Sequence, residues 1–173
     1  VESNLILWLD AKNVDAANNS SLSNNNTIGT WVDLTGKANN ATQSITDMQP
    51  IYSSSSTYSD QDGITFTNKY MDIDSTLASG TSARTIVMVT IPDAANSNLL
   101  SLNGDGSSTD SGSIYVVKSN AVDANGEIVF NQDLDNDELN IYAVRNNENA
   151  TIADVDAFKN GHQLLVTSSS SSN

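Results

Sequence analysis

The amino-acid sequence predicts an all-β fold, an antiparallel sandwich of two sheets. Apolar residues occur in short runs separated by polar turn-forming residues, which is the spacing typical of such a sandwich. Patterns with helical spacing are scarce. The chain has no cysteine, but 173 residues are enough to bury a core without disulfides. We therefore expect one β-sandwich domain over residues 1–167.

The predicted strands follow the apolar runs along the chain. They cover Asn4–Asp10, Asp62–Thr67, Tyr70–Asp74, Arg84–Ile91, Asn98–Leu102, Ser113–Val117, Glu127–Phe130, Leu139–Val144 and Gln163–Thr167. The run over Arg84–Ile91 is continuously apolar, so it suits a central strand covered on both faces, and Pro92 ends its pairing. Residues 70–74 alternate instead, which predicts that Met71 and Ile73 face the core.

Two segments are predicted to lie outside the strands. Thr151–Phe158 places apolar residues on one stripe at helical spacing behind a threonine N-cap, which predicts two turns of helix. Residues 168–173 are almost entirely serine, which predicts a flexible end.

The stretch GTWVDLTGKANNATQ, Gly29–Gln43, sets a tryptophan against a very polar turn. Its pattern predicts a strand that runs into a tight turn at Gly36, because a glycine tolerates the backbone angles that such a turn requires. Trp31 is then predicted to be a core residue rather than a ligand platform.

The charge of the chain limits its partners. Acidic residues outnumber basic ones 21 to 7, and the net charge of −14 argues against a nucleic acid or an anionic membrane and favours cations. No apolar run approaches the roughly 20 residues that a membrane-spanning helix needs. The low lysine content and the many Asn, Ser, Thr and Asp residues are typical of secreted bacterial proteins, so we expect an extracellular location at a bacterial surface.

A resemblance to a known family emerges from five pieces in order: LILWLDA, TWVDLTGKANNATQ, QPIY, DGITFTNKYMDI and ARTIVMVTIPD. Together they resemble the opening two-thirds of a concanavalin A-like jelly roll of the laminin G-like class, over roughly Leu5–Pro92. The resemblance implies a jelly-roll lectin domain. Its closing strands are missing after about residue 167, as in a shortened variant or in the split lectin-like domain of a large bacterial surface adhesin.

Catalysis is not expected, although some glucanases share this fold. Retaining glucanases of this fold place carboxylates on one strand in a Glu-x-Asp-x-x-Glu pattern, and that pattern does not occur here. A nucleophile triad would depend entirely on His162, since the chain has one histidine and no Gly-x-Ser-x-Gly turn.

Two acidic segments are candidate calcium sites. Asp133, Asp135, Asp137 and Glu138 place four carboxylates within six residues, and calcium prefers hard oxygen ligands at such density. Asn103–Asp110 is the second candidate. Neither segment matches the EF-hand loop, and the alternative interpretation is that both are solvated turns between strands.

Carbohydrate is the predicted ligand, because jelly-roll lectins bind sugars through polar loops with an aromatic ring for stacking. The candidate ligand-binding residues are Asn103, Asp105 and Asp110, together with Tyr58 in the serine-rich loop. We expect a non-catalytic adhesion module that binds cell-surface glycans with the assistance of calcium. Its other expected partners are neighbouring domains of its parent protein. A structural spacer, a subunit of an extracellular filament and a degenerate glucanase are the alternatives.

Overall fold

The described part of the chain is all-β, as predicted. The computed structural model describes residues 4–55, 60–73, 77, 83–92, 98–102, 115–118, 121–123, 126–131, 137–147 and 154–171. These residues form fourteen strands and two short 3₁₀ turns, and every strand pair is antiparallel. Within these ranges, no helix is both long enough and apolar enough to cross a membrane.

The chain divides into two compact units, Val1–Leu77 and Ala78–Asn173. Each unit has its own sheets and its own buried residues, so each is described by itself. The single domain over 1–167 and the jelly-roll order of the sheets stay predictions.

The first unit contains five short strands. They are β1 (Thr30–Trp31), β2 (Ala41–Thr42), β3 (Ile51–Ser53), β4 (Gly63–Thr65) and β5 (Asp72–Ile73). A three-stranded sheet has the order β1-β2-β5, and β3 pairs with β4. The two 3₁₀ turns, Ala11–Asn13 and Thr46–Met48, also belong to this unit.

Val14, Ile28 and Tyr52 form the buried core of the first unit. Trp31 and Met71 pack against this cluster, which confirms that both face the core. The indole N–H of Trp31 donates to a backbone carbonyl, at 3.1 Å from Asp10 O. Burying the ring with its one donor paired removes apolar area from water without leaving a polar group unsatisfied.

The predicted strand over Asn4–Asp10 is wrong. Residues 4–10 form no strand, although they run beside the turn that follows β1. The N–H of Trp8 donates to the carboxylate of Asp33 at 3.1 Å, and its carbonyl accepts from the N–H of Leu34 at 2.9 Å. The Asp33 carboxylate thus accepts the hydrogen bond that the backbone carbonyl of a neighbouring strand would accept in a β-sheet.

The second unit contains the other nine strands. They are β6 (Arg84–Thr90), β7 (Asn98–Leu102), β8 (Tyr115–Lys118), β9 (Ala121–Asp123), β10 (Gly126–Phe130), β11 (Asn140–Asn146), β12 (Asp156–Lys159), β13 (His162–Gln163) and β14 (Val166–Ser171). Five of them form a sheet with the order β14-β10-β9-β8-β7, and four form a sheet with the order β13-β12-β11-β6.

The apolar run at β6 forms a strand, but the prediction that both of its faces are covered is wrong. Among the strands that the structure describes, β6 is the outermost of the four-stranded sheet, and it pairs with β11. Its residues alternate between half-buried and exposed, and Val87 and Val89 are on the exposed side. A continuous apolar run indicates a strand but does not fix how many of its faces are covered.

The predicted helix over Thr151–Phe158 is wrong where the structure describes it. Residues 156–159 form β12, with Ala157 fully buried against β11. An Asn160–Gly161 turn joins β12 to β13, and both of its residues have positive φ, 51° and 83°. Asn-Gly is the preferred pair for a two-residue hairpin turn, and this local signal outweighs the helical spacing.

The serine-rich end is a strand up to Ser171, not a flexible segment from residue 168. Its backbone pairs antiparallel with β10, from Gly126 opposite Ser171 to Phe130 opposite Val166. Strand pairing uses backbone groups, so a polar serine sequence can extend a sheet where a partner strand is present. The predicted strand over Gln163–Thr167 is accordingly divided between β13 and β14.

Candidate functional site

The site residues predicted from the sequence lie mostly outside the described residues. These are Tyr58, Asn103, Asp105, Asp110, Asp133 and Asp135. Asp137 and Glu138 are described, and both are exposed. Across the described ranges, no three acidic, histidine or cysteine side chains gather into a group that could hold a metal ion. Calcium binding therefore stays a prediction.

Asp33 organises the turn after β1. Its Oδ1 accepts from the backbone N–H groups of Trp8 and Thr35 at 3.1 and 3.0 Å. Its Oδ2 accepts from the Thr35 hydroxyl at 2.6 Å and from the N–H of Asn39 at 3.1 Å. Desolvation raises the pKa of Asp33, but these hydrogen bonds outweigh it and hold the pKa below its ordinary value. With both oxygens occupied by protein donors, this carboxylate has a structural role.

Asn19 is a second buried polar centre. Its Oδ1 accepts from the N–H of Val14 at 2.6 Å, and its Nδ2 donates to Ala11 O at 2.8 Å and to the Tyr52 hydroxyl at 3.3 Å. The Tyr52 hydroxyl donates in turn to the carboxylate of Asp62 at 2.9 Å. Burial and this bond to Asp62 raise the pKa of Tyr52. The chain of bonds ties the loop before β1 to β3.

Asp15 closes the loop that carries Asn19. Its carboxylate accepts from the N–H groups of Ala17, Asn19 and Ser21 and from the Ser21 hydroxyl. Desolvation raises the pKa of Asp15, but the hydrogen bonds from Ser21, Ala17 and Asn19 outweigh it and lower the pKa from 3.8 to about 2. The ionised form of Asp15 is therefore favoured in the folded state.

Acid should weaken the first unit through these two carboxyl groups. Asp15 and Asp33 have lower pKa values when folded than when unfolded, so their contribution is present above about pH 4 and is lost as the pH falls towards 2. We expect urea unfolding, followed by tryptophan fluorescence, to shift to lower urea across this range. In the Asp15→Asn variant, the urea unfolding transition should depend less on pH over this range. An unchanged pH dependence in that variant would show that Asp15 does not contribute.

An exposed apolar surface lies elsewhere in the first unit, and we call it the aromatic turn surface. It consists of Ile45, Met48, Phe66 and Tyr70, which are between 39% and 54% exposed. The sequence predicts a strand that begins at Tyr70, but β5 begins two residues later and the side chain of Tyr70 is 47% exposed.

Backbone and side-chain hydrogen bonds hold the aromatic turn surface together. The N–H of Lys69 donates to Phe66 O at 2.7 Å, which closes the turn between the two rings. The N–H of Tyr70 donates to Met48 O at 3.4 Å, and Lys69 Nζ donates to Asp47 O at 2.9 Å. Both bonds join this turn to the 3₁₀ turn Thr46–Met48, so the two turns are held against each other.

Exposed polar residues belong to the same two turns as the rings. Thr67 and Asn68 lie between Phe66 and Tyr70 in the chain, and both are exposed, as is Asp47 on the neighbouring turn. Aromatic faces next to hydroxyl, amide and carboxylate groups suit a ligand with one apolar face and many hydroxyls. The sequence signal for this surface was the turn-forming Thr-Asn pair directly before Lys69–Tyr70, which separates Tyr70 from the strand that follows.

Comparisons with known proteins leave the family open. No protein-family model, curated protein or solved structure matches this chain. The resemblance to concanavalin A-like jelly rolls therefore stays a prediction that depends on its sequence pieces.

Proposed function

We propose that the chain is a non-catalytic, extracellular adhesion module that binds carbohydrate through the aromatic turn surface. The observation that carries the proposal is the pair of exposed rings, Phe66 and Tyr70, on a turn fixed by hydrogen bonds to the neighbouring 3₁₀ turn. A turn held in one conformation presents its rings at little entropic cost on binding.

The exposed polar residues of the same two turns favour a sugar over a purely apolar ligand. A pyranose presents C–H groups on one face, which pack against an aromatic ring, and hydroxyls around its edge. Asp47, Thr67 and Asn68 offer acceptors and donors for those hydroxyls. The acidic surface, with its net charge of −14, favours a neutral glycan over an anionic one.

Calcium is part of the proposal as a second element. Asp137 and Glu138 are exposed neighbours, and their carboxylates are the hard oxygen donors that calcium accepts. With Asp133 and Asp135 they would hold the ion, which would neutralise their mutual repulsion. A bacterial-surface location follows the composition of the chain.

Tyr70→Ala should weaken glycan binding. We expect retention on a panel of immobilised glycans to fall about tenfold or more, because removing a central interface ring costs about 1.4 kcal/mol or more. The panel is run once with calcium and once with a chelator. Loss of retention with chelator alone would support the calcium element, and equal retention in both conditions would contradict it.

Trp8→Ala is the matched control. Trp8 is 46% exposed, nearly the same as Tyr70 at 47%, and its hydrogen bonds to Asp33 and Leu34 use backbone groups that alanine keeps. Retention of this variant should stay within twofold of the unchanged chain. An empty panel from a folded chain, or equal losses in the two variants, would overturn the proposal.

A further inference from the structure

Gln43 is a buried glutamine at the end of the central strand of the three-stranded sheet. It directly follows β2, which pairs with both β1 and β5, and it is only 5% exposed. Its backbone N–H donates to Gly29 O at 2.9 Å, and its carbonyl accepts from Gln49 Nε2 at 2.8 Å. The backbone of Gln43 is therefore fixed to the sheet, which gives its side chain a rigid base.

The carboxamide of Gln43 joins the two turns that form the aromatic turn surface. Its Oε1 accepts from the N–H of Ile45 at 3.0 Å, and its Nε2 donates to Tyr70 O at 3.3 Å. Ile45 is the N-cap residue of the 3₁₀ turn Thr46–Met48, and Tyr70 ends the other turn. Burying a carboxamide is costly unless its polar atoms are paired, so the spacing of the two turns is tied to the length of this one side chain.

Tyr70 is held through both of its backbone groups. Its carbonyl accepts from Gln43, and its N–H donates to Met48 O at 3.4 Å, so segment 43–48 sets the direction in which the ring leaves the backbone. Without Gln43, Tyr70 would keep only the longer of these two bonds. The ring would then take several orientations, and a ligand would have to restrict them again on binding.

Gln49 links the 3₁₀ turn to Gln43 a second time. Its N–H donates to Thr46 O at 3.2 Å, which closes the turn, and its side chain reaches the carbonyl of Gln43. A Cβ added at Gly29 would lie 3.0 Å from Gln49 Nε2, which is closer than ordinary van der Waals contact. The glycine at position 29 therefore leaves the room that the Gln49 side chain needs.

We propose that Gln43 is the positioning residue of the aromatic turn surface: its carboxamide holds the 3₁₀ turn and the Tyr70 turn at the spacing that carbohydrate binding requires. The inference rests on the function proposed above. Gln43 is buried and makes no contact with the ligand. It acts through Tyr70, whose exposed ring makes the contact.

Gln43→Met tests this role. Methionine has a similar length and volume, but it has no donor for Tyr70 O and is at most a weak acceptor for the N–H of Ile45. We expect retention on the immobilised glycan that best retains the unchanged chain to fall about tenfold, because the ring and its turn then have to be ordered on binding.

Asn19→Gly separates positioning from a loss of stability. It also removes buried side-chain hydrogen bonds from the first unit, but those bonds go to Val14, Ala11 and Tyr52. Urea unfolding measures how much stability each variant loses. The retention of Asn19→Gly should stay within about twofold of the unchanged chain at a temperature where both variants are folded.

Gln43→Glu separates the two bonds of the carboxamide. The carboxylate keeps the acceptor for the N–H of Ile45 but has no donor for Tyr70 O. This variant should lose retention as Gln43→Met does. The amide of Ile45 should keep its protection from hydrogen exchange in Gln43→Glu and lose it in Gln43→Met, which a general loosening of the unit would not produce.

The outcomes distinguish this inference from the proposed function. Retention of the folded Gln43 variants within about twofold of the unchanged chain, with Tyr70→Ala reduced, would overturn the inference and leave the proposed function standing. Equal losses of retention in Gln43→Met and Asn19→Gly would also overturn it, because lost stability would then be the cause. A folded, unchanged chain that no glycan retains would overturn the proposed function and this inference with it.

Discussion

Replacing Asp33 with alanine should lower the free energy of unfolding of the first unit by about 3–4 kcal/mol. The substitution removes the acceptor for the N–H groups of Trp8, Thr35 and Asn39 and for the Thr35 hydroxyl. These donors lie in a partly buried turn, where an unpaired donor is costly. Urea unfolding followed by fluorescence measures the loss, because both tryptophans, Trp8 and Trp31, lie in this unit.

Two further variants separate the role of Asp33 from a general effect of removing a carboxylate. Asp33→Asn keeps one acceptor oxygen, so it should cost less, about 2 kcal/mol. Asp72→Ala removes an exposed carboxylate from β5 and should change stability by less than about 0.5 kcal/mol. If Asp33→Ala behaved like Asp72→Ala, the turn would not depend on the carboxylate.

Asn19→Ala should destabilise the same unit by about 3 kcal/mol. Two effects add. The buried N–H of Val14 and the carbonyl of Ala11 lose their partner, and alanine is strained at the positive φ of 58° that Asn19 adopts. Only the second effect applies to Asn18→Ala, because Asn18 has a φ of 55° but is exposed, and its hydrogen bond to Asn13 uses its backbone N–H.

The comparison of neighbouring asparagines therefore isolates the buried hydrogen bonds. Asn18→Ala should cost about 1 kcal/mol, and Asn19→Gly should be less destabilising than Asn19→Ala by a similar amount. Urea unfolding of the three variants measures these differences. Equal effects of Asn18→Ala and Asn19→Ala would show that backbone strain, rather than the bonds to Val14 and Ala11, accounts for the loss.

Periodicity and turn residues were sufficient for the fold class. The alternation over residues 70–74 correctly predicts that Met71 faces the core. The stretch from Gly29 to Gln43 correctly predicts that Trp31 faces the core and that a turn lies at Gly36, whose φ is 80°. These features depend on neighbours within a few residues along the chain, which a sequence pattern can report.

Features that depend on distant partners were missed. Asn4–Asp10 looked like a strand because its apolar residues gave no sign that Asp33 would accept the N–H of Trp8 from 25 residues away. The exposure of one face of β6 depends on which segments pack against its sheet, and its own sequence does not contain that information. The Asn160–Gly161 hairpin had a local signal, but the helical spacing of the preceding residues indicates a helix instead.

The aromatic turn surface was not predicted from the sequence, for a related reason. The predictions at Tyr58 and in the loops 103–110 and 133–138 depend on composition, and most of these residues lie outside the described ranges. The aromatic turn surface depends on two segments about 20 residues apart, joined by the bond between Tyr70 and Met48. The exposure of a ring is set by such contacts rather than by its immediate neighbours in sequence.

Amide chemical shifts during titration with the best-retained glycan test the central claim most directly. We expect the largest changes in residues 45–49 and 66–70, and we expect Tyr70→Ala to abolish them while Trp8→Ala keeps them. Changes confined to the second unit, for example around Asp137 and Glu138, with unmoved amides at 66–70, would contradict binding through the aromatic turn surface.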